Sequence, residues 1–139
     1  MTQESIIQKF EFVSQLESLI QLEKHVDELC EQLSVCEDDY GNILIAITEA
    51  VNNAITHGNQ LDENKKVCLE IVGNTEQLEF VIEDEGLGFN LDEVPDPTLP
   101  ENIEKLSGRG IFLMRSLADE ISFENNGTKI TLKFSISVN

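Results

Sequence analysis

The sequence predicts an α+β domain in which helices pack on one face of a β-sheet. The N-terminal half has two segments with the apolar spacing of helices. The second half has short strand-like runs interrupted by one long loop. At 139 residues and 40% hydrophobic composition, the chain can build one core but has little room for another. We therefore expect residues 1–139 to form a single domain.

The first half should contain one strand and two helices. Ser5–Phe12 predicts the strand, and Ser14–Glu17 has the pattern of a capping box that opens the first helix. Ser34–Glu37 repeats that pattern before a second helix, which should run to about His57 and end at Gly58-Asn59. The expected apolar stripe of the first helix is Leu16, Leu19, Ile20, Val26, Leu29 and Leu33.

Strands and a long loop dominate the second half. Val67–Val72 and Leu78–Glu83 predict two strands. The following loop, 84–110, holds all three prolines and four of the eight glycines, with one short helix near 101–106. A loop of this length inside a compact domain is usually functional and often a lid.

The C-terminal part should hold a helix and a hairpin. The helix is expected from Ile111 to about Asp119, directly after Gly108-Arg109-Gly110. Two closing strands, 121–124 and 129–138, flank Asn126-Gly127, the strongest short hairpin signal.

The net charge excludes several functions. Nine basic and 27 acidic side chains give 9 − 27 = −18, so the chain has no cationic stripe for non-specific nucleic-acid binding or for docking on anionic membranes. Basic proteins are the natural electrostatic partners. An odd count of three cysteines without CxxC spacing argues against a disulfide framework or a structural zinc site. The N-terminus has no signal-peptide pattern, and we expect a cytoplasmic protein.

Glu49 and Asn53 are the first candidates for chemistry. They lie one turn apart on the second helix, roughly 6 Å between Cβ atoms. The amide oxygen can bind a hard cation such as Mg²⁺, and the carboxylate can accept a proton from a hydroxyl. The alternative is a solvated polar face, which is the commoner meaning of an isolated E-x-x-x-N.

Two glycine-containing segments are the next candidates. Asp84 follows an apolar strand and precedes Gly86 and Gly88, so it could accept a hydrogen bond from an exocyclic amine while the glycines admit a flat ring. Gly108-Arg109-Gly110 precedes a helix, where backbone N–H groups and the helix dipole favour an anion. An acidic turn and a flexible loop with a solvated arginine are the respective alternatives. No Walker A or Rossmann glycine pattern is present.

Taken in order with Gly127-Thr128, these elements resemble the N, G1, G2 and GT boxes of the GHKL ATPase superfamily, which has the Bergerat fold. Within it the chain is most similar to the bacterial anti-sigma factor serine-protein kinases, the RsbW-like family. The segments that carry the resemblance are TEAVNNAITHGN (48–59), VIEDEGLGF (81–89), VPDPTLPENI (94–103), SGRGIFLMRSLADEI (107–121) and NGTKITLKF (126–134).

The resemblance implies a role for each site residue. Glu49 would be the general base and Asn53 the Mg²⁺ ligand. Asp84 would accept from the adenine amino group, in a pocket shaped by Gly86 and Gly88. Gly108 and Gly110 would donate backbone N–H groups to the phosphates. Thr128 would support Asp84 and the adenine. From its charge alone, we add Arg109 as a phosphate contact.

The resemblance also implies the Bergerat fold's two-layer α/β sandwich, with helices packed on one face of a mixed β-sheet and a lid, about residues 88–110, that closes on ATP. Members of the family bind a sigma factor and phosphorylate a serine or threonine of an anti-sigma antagonist (a STAS-type protein), commonly as homodimers. Two alternatives stay open at this point. One is a nucleotide-gated binding module without transfer activity. The other is a detached histidine-kinase domain, for which His25 is the one candidate phosphoacceptor, although it lacks the usual acidic residue and proline after it.

Overall fold

The computed structural model describes residues 6–86 and 106–138, and all structural statements concern these residues. Helices α1, α2 and α3 pack with a five-stranded sheet around one hydrophobic core. No helix in these two ranges is long and apolar enough to cross a bilayer. In chain order the elements are β1 (Ile6–Val13), α1 (Ser18–Leu33), α2 (Glu37–Asn53), a π-helical turn (Ala54–Gly58), β2 (Lys66–Gly73), β3 (Gln77–Glu83), α3 (Leu106–Leu117), β4 (Glu120–Glu124), a 3₁₀ turn (Asn125–Gly127) and β5 (Lys129–Ser135).

The sheet has the strand order β1-β2-β3-β5-β4. Every pairing among the described strands is antiparallel, whereas the resemblance implied a mixed sheet. The connections explain this arrangement. Tight turns join β2 to β3 and β4 to β5, so the strands of each pair run in opposite directions. Strand β5 lies between β3 and β4, so β4 is not paired with β3. The predicted C-terminal hairpin is confirmed, with Phe123 opposite Ile130.

The core lies between one face of this sheet and the helices. Alternate residues of β2, β3 and β5 are buried, and the residues between them are mostly more exposed, as expected for an antiparallel sheet covered on one side. The predicted α+β layer with helices on one face is therefore confirmed. The largest fully buried side chains are Phe12, Leu22, Leu29, Ile43, Ile47, Ile55, Leu69, Ile71, Leu78, Phe80, Ile82 and Met114.

Both predicted capping boxes are wrong. Helix α1 begins at Ser18 and has no side-chain cap, because the hydroxyl of Ser14 donates instead to the Lys65 carbonyl at 2.6 Å. Helix α2 likewise begins without a side-chain cap after Cys36. Ser34 adopts a left-handed conformation with φ of 56° and ends α1. Local signals were overridden here by a tertiary hydrogen bond and a tight helix–helix turn.

The apolar stripe of α1 is shifted from the predicted one. Leu16 and Ile20 are 53% and 73% exposed, whereas Leu22 and Cys30 are buried. Since the helix starts at Ser18, its buried face follows the spacing 18, 22, 26, 29 and 30. All three cysteines are free thiols, and Cys68 is exposed on the open face of the sheet.

The second helix extends as far as predicted, but its last turn differs. After Asn53 the backbone continues as a π-helical turn to Gly58, and the Asn59 N–H donates to the Ala54 carbonyl five residues back at 2.8 Å. Such turns are frequent at functional sites.

Helix α3 differs from the prediction at its start. Its described part begins at Leu106, five residues ahead of the expected Ile111, so Gly108 and Gly110 have helical backbone and do not form a loop before the helix. Most of the predicted lid, residues 88–105, lies outside the described residues, as does the short helix near 101–106 apart from Leu106.

The C-terminal tail is tied to the start of α2. Strand β5 ends at Ser135, although it was expected to reach Val138, and Val138 instead pairs with Val35. Asp39 accepts hydrogen bonds from the Ser137 N–H at 2.7 Å and from the Cys36 thiol at 3.1 Å. The side chain of Asp39 therefore holds the tail against the corner between α1 and α2.

We predict that the only tyrosine titrates late. The phenol of Tyr40 on α2 donates to Asp27 on α1, and this hydrogen bond, with smaller effects from burial and from the negative charge of Asp27, raises its pKa from 10.0 to about 12. The protonated phenol thus stabilises the fold below about pH 10, and this contribution is lost as the pH rises through about 12.

The chain has one tyrosine and no tryptophan, so the near-ultraviolet phenolate absorbance reports on Tyr40 alone. In Asp27→Asn the midpoint should fall towards that of an ordinary tyrosine. Glu28→Gln, which removes a neighbouring carboxylate without touching Tyr40, is the control. A midpoint unchanged in Asp27→Asn would contradict the assignment.

Candidate functional site

The phase of α2 sets the position of Glu49 and Asn53. Ile43, Ile47 and Val51 are fully buried, which fixes the apolar side of the helix against the core. Glu49 and Asn53 lie on a different side and are half-buried. Neither side chain has a hydrogen-bond partner among the described residues. The helix therefore holds a carboxylate and an amide, one turn apart, with their polar atoms available to a ligand.

The start of α3 packs directly on this pair. Gly110 is buried, and a Cβ atom at this position would lie 2.9 Å from Asn53 Nδ2 and 3.1 Å from Glu49 Oε2. A side chain there would displace both polar groups. Gly110 lies four residues after Leu106, which is the spacing at which an α-helical N–H donates to a backbone carbonyl. The feature of Gly110 that the structure shows is therefore close packing on Glu49 and Asn53.

A second polar cluster lies at the end of the π-helical turn. Gly58 faces the carboxylate of Asp84: a Cβ at position 58 would collide with Asp84 Oδ2, the nearest atom, and would lie 2.8 Å from Oδ1. Gly86 in turn approaches the Gly58 carbonyl so closely that no side chain fits. Gly58 was not among the predicted site residues. The HG dipeptide gave no sign that a carboxylate would pack on it.

Asp84 is held through its backbone and through one carboxylate oxygen. Its N–H donates to the Thr128 carbonyl at 2.9 Å, and its Oδ1 accepts from the Gly86 N–H at 2.8 Å. Oδ2 has no partner among the described residues. Burial raises the pKa of the Asp84 carboxyl above its ordinary value, and the Gly86 N–H acts in the opposite direction. The group is a partly desolvated acceptor with one free oxygen.

Asn59 is a structural residue of the site that sequence reasoning missed. It is 1% exposed, and its amide connects three segments. Nδ2 donates to Ser14 Oγ at 2.9 Å and to the Lys66 carbonyl at 3.1 Å, while Oδ1 accepts from the Glu85 N–H at 2.7 Å. An asparagine after Gly58 is equally typical of a helix end, so no sequence signal indicates this role.

The remaining predicted residues are described only in part. The Thr128 hydroxyl donates to the Asn125 carbonyl at 2.9 Å, so Thr128 contacts Asp84 through its backbone. Gly108 lies in helical backbone near the start of α3, as does Arg109, of which the backbone alone is described. Gly88 lies outside the described residues. The described residues thus form two clusters, Glu49–Asn53–Gly110 and Gly58–Asp84–Gly86. The π-helical turn, which follows Asn53 and ends at Gly58, connects them.

The donor set fits a magnesium ion that is shared with a phosphorylated ligand. No group of three or more His, Cys, Asp or Glu side chains among the described residues could enclose a metal. Mg²⁺ is usually held by one or two protein oxygens together with substrate phosphates and water. The unpaired amide oxygen of Asn53 and the neighbouring carboxylate of Glu49 meet that requirement.

His25 packs away from these clusters. Its ring stacks on Phe10 of β1 with 4.0 Å between centroids, and the residue is half-buried between α1 and the sheet. This arrangement gives no support to a phosphoacceptor role for His25.

Known proteins with similar sequences carry two kinds of name. The chain is 32% identical over 130 residues to an anti-sigma F factor of Clostridium perfringens strain SM101, covering 90% of this chain and 93% of the relative. It is 35% identical over 131 residues to an anti-sigma F factor of Bacillus cereus, covering 89% and 87%. The serine-protein kinase RsbW of Bacillus subtilis is 32% identical over 95 residues, covering 64% of this chain and 59% of that protein.

The fold also occurs among solved structures. The crystal structure of the RsbU and RsbW domains of a Mycobacterium tuberculosis protein matches with a TM-score of 0.61 at 16% identity. The match covers 96% of this chain and 33% of that longer one, and at this identity it supports the fold alone. The family described as histidine kinase-like ATPase domain matches residues 12–134. Since that match includes every described helix and most of the sheet, this chain belongs to the histidine kinase-like ATPase domain family.

Proposed function

We propose that this chain is an ATP-binding anti-sigma factor that phosphorylates a serine or threonine of an anti-sigma antagonist and controls transcription by partner switching. The names of its relatives, anti-sigma F factor and serine-protein kinase, support this function. The structural observation that carries it is the Glu49–Asn53 pair under Gly110, a polar face without a hydrogen-bond partner among the described residues where α2 and α3 meet.

Each residue of the pair has one task in the proposed reaction. The Glu49 carboxylate accepts the proton of the attacking serine or threonine hydroxyl. The hydroxyl oxygen of that serine or threonine then bonds to the γ-phosphorus of ATP, while the bond from this phosphorus to the bridging oxygen breaks and ADP leaves. The Asn53 amide oxygen would hold Mg²⁺, which would supply positive charge to neutralise the phosphates. Gly108 and Arg109, near the start of α3, would contact the phosphates.

The other cluster binds the base in this proposal. Asp84 Oδ2 accepts from the exocyclic amine of adenine, while Gly58 and Gly86 keep the surrounding wall free of side chains. Thr128, whose carbonyl accepts from the Asp84 N–H, supports this side of the pocket, and Gly88 keeps its expected role in shaping the adenine pocket. Because Oδ1 already accepts from the Gly86 N–H, the carboxylate is held in one orientation and Oδ2 is the oxygen that accepts from adenine.

The proposed partners are a sigma factor and a STAS-type antagonist, with a homodimer as the working form in the cytoplasm. A net charge of −18 favours basic partner surfaces over nucleic acid. Strand β1 is an edge of the described sheet, and its Ile7 is 67% exposed, which is consistent with a protein contact there.

Nucleotide binding should depend strongly on magnesium. A chain at −18 repels a triphosphate unless a cation reduces the phosphate charge. Asn53→Ala should therefore weaken Mg-ATP binding, as measured by calorimetry. Asn52→Ala, which removes the neighbouring amide on another side of α2, should leave it nearly unchanged. Equal ATP affinity with and without a chelator would contradict the proposed ligand.

The pocket should prefer ATP to GTP. Guanine presents a carbonyl where adenine presents its amine, so two acceptors would face each other at Asp84, at a cost of about 1–3 kcal/mol, which is about 5- to 150-fold in affinity. Asp84→Asn should lose ATP binding and remain folded. Glu83→Gln is the matched control, since it removes one carboxylate from the exposed position next to Asp84. Comparable ATP and GTP affinities in the wild type would argue against the adenine assignment.

Phosphoryl transfer should require Glu49. A general base typically contributes 10²–10⁴-fold, so Glu49→Gln should slow transfer by about that factor while Mg-ATP and partner binding survive. The test incubates wild type, Glu49→Gln and the control Glu83→Gln with labelled Mg-ATP and a captured antagonist, and maps the label.

Label on serine or threonine in the wild type and in Glu83→Gln supports the proposal. If the wild type labels no serine or threonine of any captured partner, the binding module without transfer activity replaces the kinase. Label on a histidine would instead support the histidine-kinase alternative.

A further inference from the structure

Asn59 is a buried residue next to the proposed adenine site, and its side chain takes part in three hydrogen bonds. Its amide reaches Ser14 after β1, the Lys66 carbonyl at the start of β2 and the Glu85 N–H after β3. All of its hydrogen-bonding atoms are engaged at distances of 2.7–3.1 Å, and the residue is 1% exposed. A buried amide of this kind has little freedom to rotate.

The contact to Glu85 bears directly on Asp84. The Asp84 N–H is fixed by the Thr128 carbonyl, and the next N–H, that of Glu85, is fixed by Asn59 Oδ1. Two successive anchored N–H groups fix the backbone on both sides of the Asp84 side chain. The Gly86 N–H then holds Oδ1, so that Oδ2 has a single direction.

We propose that Asn59 is a positioning residue that sets the direction of the Asp84 carboxylate and thereby the base selectivity of the pocket. Asn59 touches no ligand and acts through the Glu85 peptide. This inference rests on the proposed function, because it assumes that Asp84 accepts from adenine. It adds that the selectivity for adenine depends on the hydrogen bond that the Glu85 N–H, after β3, donates to Asn59, after the π-helical turn.

The test compares the ATP-to-GTP affinity ratio in three proteins. Asn59→Ala removes the Glu85 anchor, so ATP affinity should fall by about tenfold while GTP affinity changes little, and the ratio narrows. Ser14→Ala is the matched control. It removes the acceptor of one Asn59 Nδ2 hydrogen bond and the bond from Ser14 to the Lys65 carbonyl, yet leaves the Glu85 contact in place. It should lower the melting temperature without narrowing the ratio.

Asn59→Asp provides a second test that does not depend on the stability of Asn59→Ala. The aspartate keeps an oxygen for the Glu85 N–H but loses both Nδ2 donations, so it should be less stable than wild type and still retain the ratio. A narrowed ratio in Asn59→Asp or in Ser14→Ala would overturn the inference, because selectivity would then follow general stability.

The outcomes also separate this inference from the proposed function. Equal ATP and GTP affinities in the wild type would overturn the adenine assignment and the inference together. A wild-type preference that Asn59→Ala retains would overturn the inference alone. A preference that only Asn59→Ala loses supports both.

Discussion

The placement of α2 is the constraint on which the rest of the structure depends. The helix must bury Ile43, Ile47 and Val51 against the sheet, and this fixes its rotation about its own axis. With the rotation fixed, the carboxylate and the amide one turn apart have to face α3. Helix α3 can approach that closely because Gly110 has no side chain. Core packing and site geometry are thus set by the same helix, and neither can be changed independently of the other.

Much of the fold could be predicted because its signals are local. Alternating residues identified β2 and β3, the Asn-Gly pair identified the hairpin, and helical spacing gave the extent of the second helix. The Glu49–Asn53 pair was also found from spacing alone, since residues four apart on a helix are always neighbours. Asp84 was placed at a strand end for the same reason. These features depend on residues close in sequence.

The features that escaped prediction depend on contacts between distant segments. Ser14 had the right neighbours for a helix cap, but its hydroxyl donates a hydrogen bond to a carbonyl 51 residues away. Asn59 had the sequence of a helix end, but its partners lie 45, 7 and 26 residues away. The close packing of Gly110 on Glu49 and Asn53 also joins segments that are distant in sequence, and the role of Gly110 as an N–H donor to phosphate stays a prediction. Composition and spacing carry no information about such partners.

The π-helical turn between Asn53 and Gly58 has a consequence for how the chain tolerates change in length. It links the two clusters without any loop, so the rotation between Asn53 and the residues that contact Asp84 is determined by the number of residues in that turn. One residue added there would lengthen a turn that already holds one residue more than an α-helical turn, and would rotate everything after it by roughly 100° relative to the preceding helix. Gly58 would then point away from Asp84. Insertions in this chain are therefore expected to accumulate in the exposed turn at 60–65 and to be excluded from 54–58, even though the two segments are nearly adjacent.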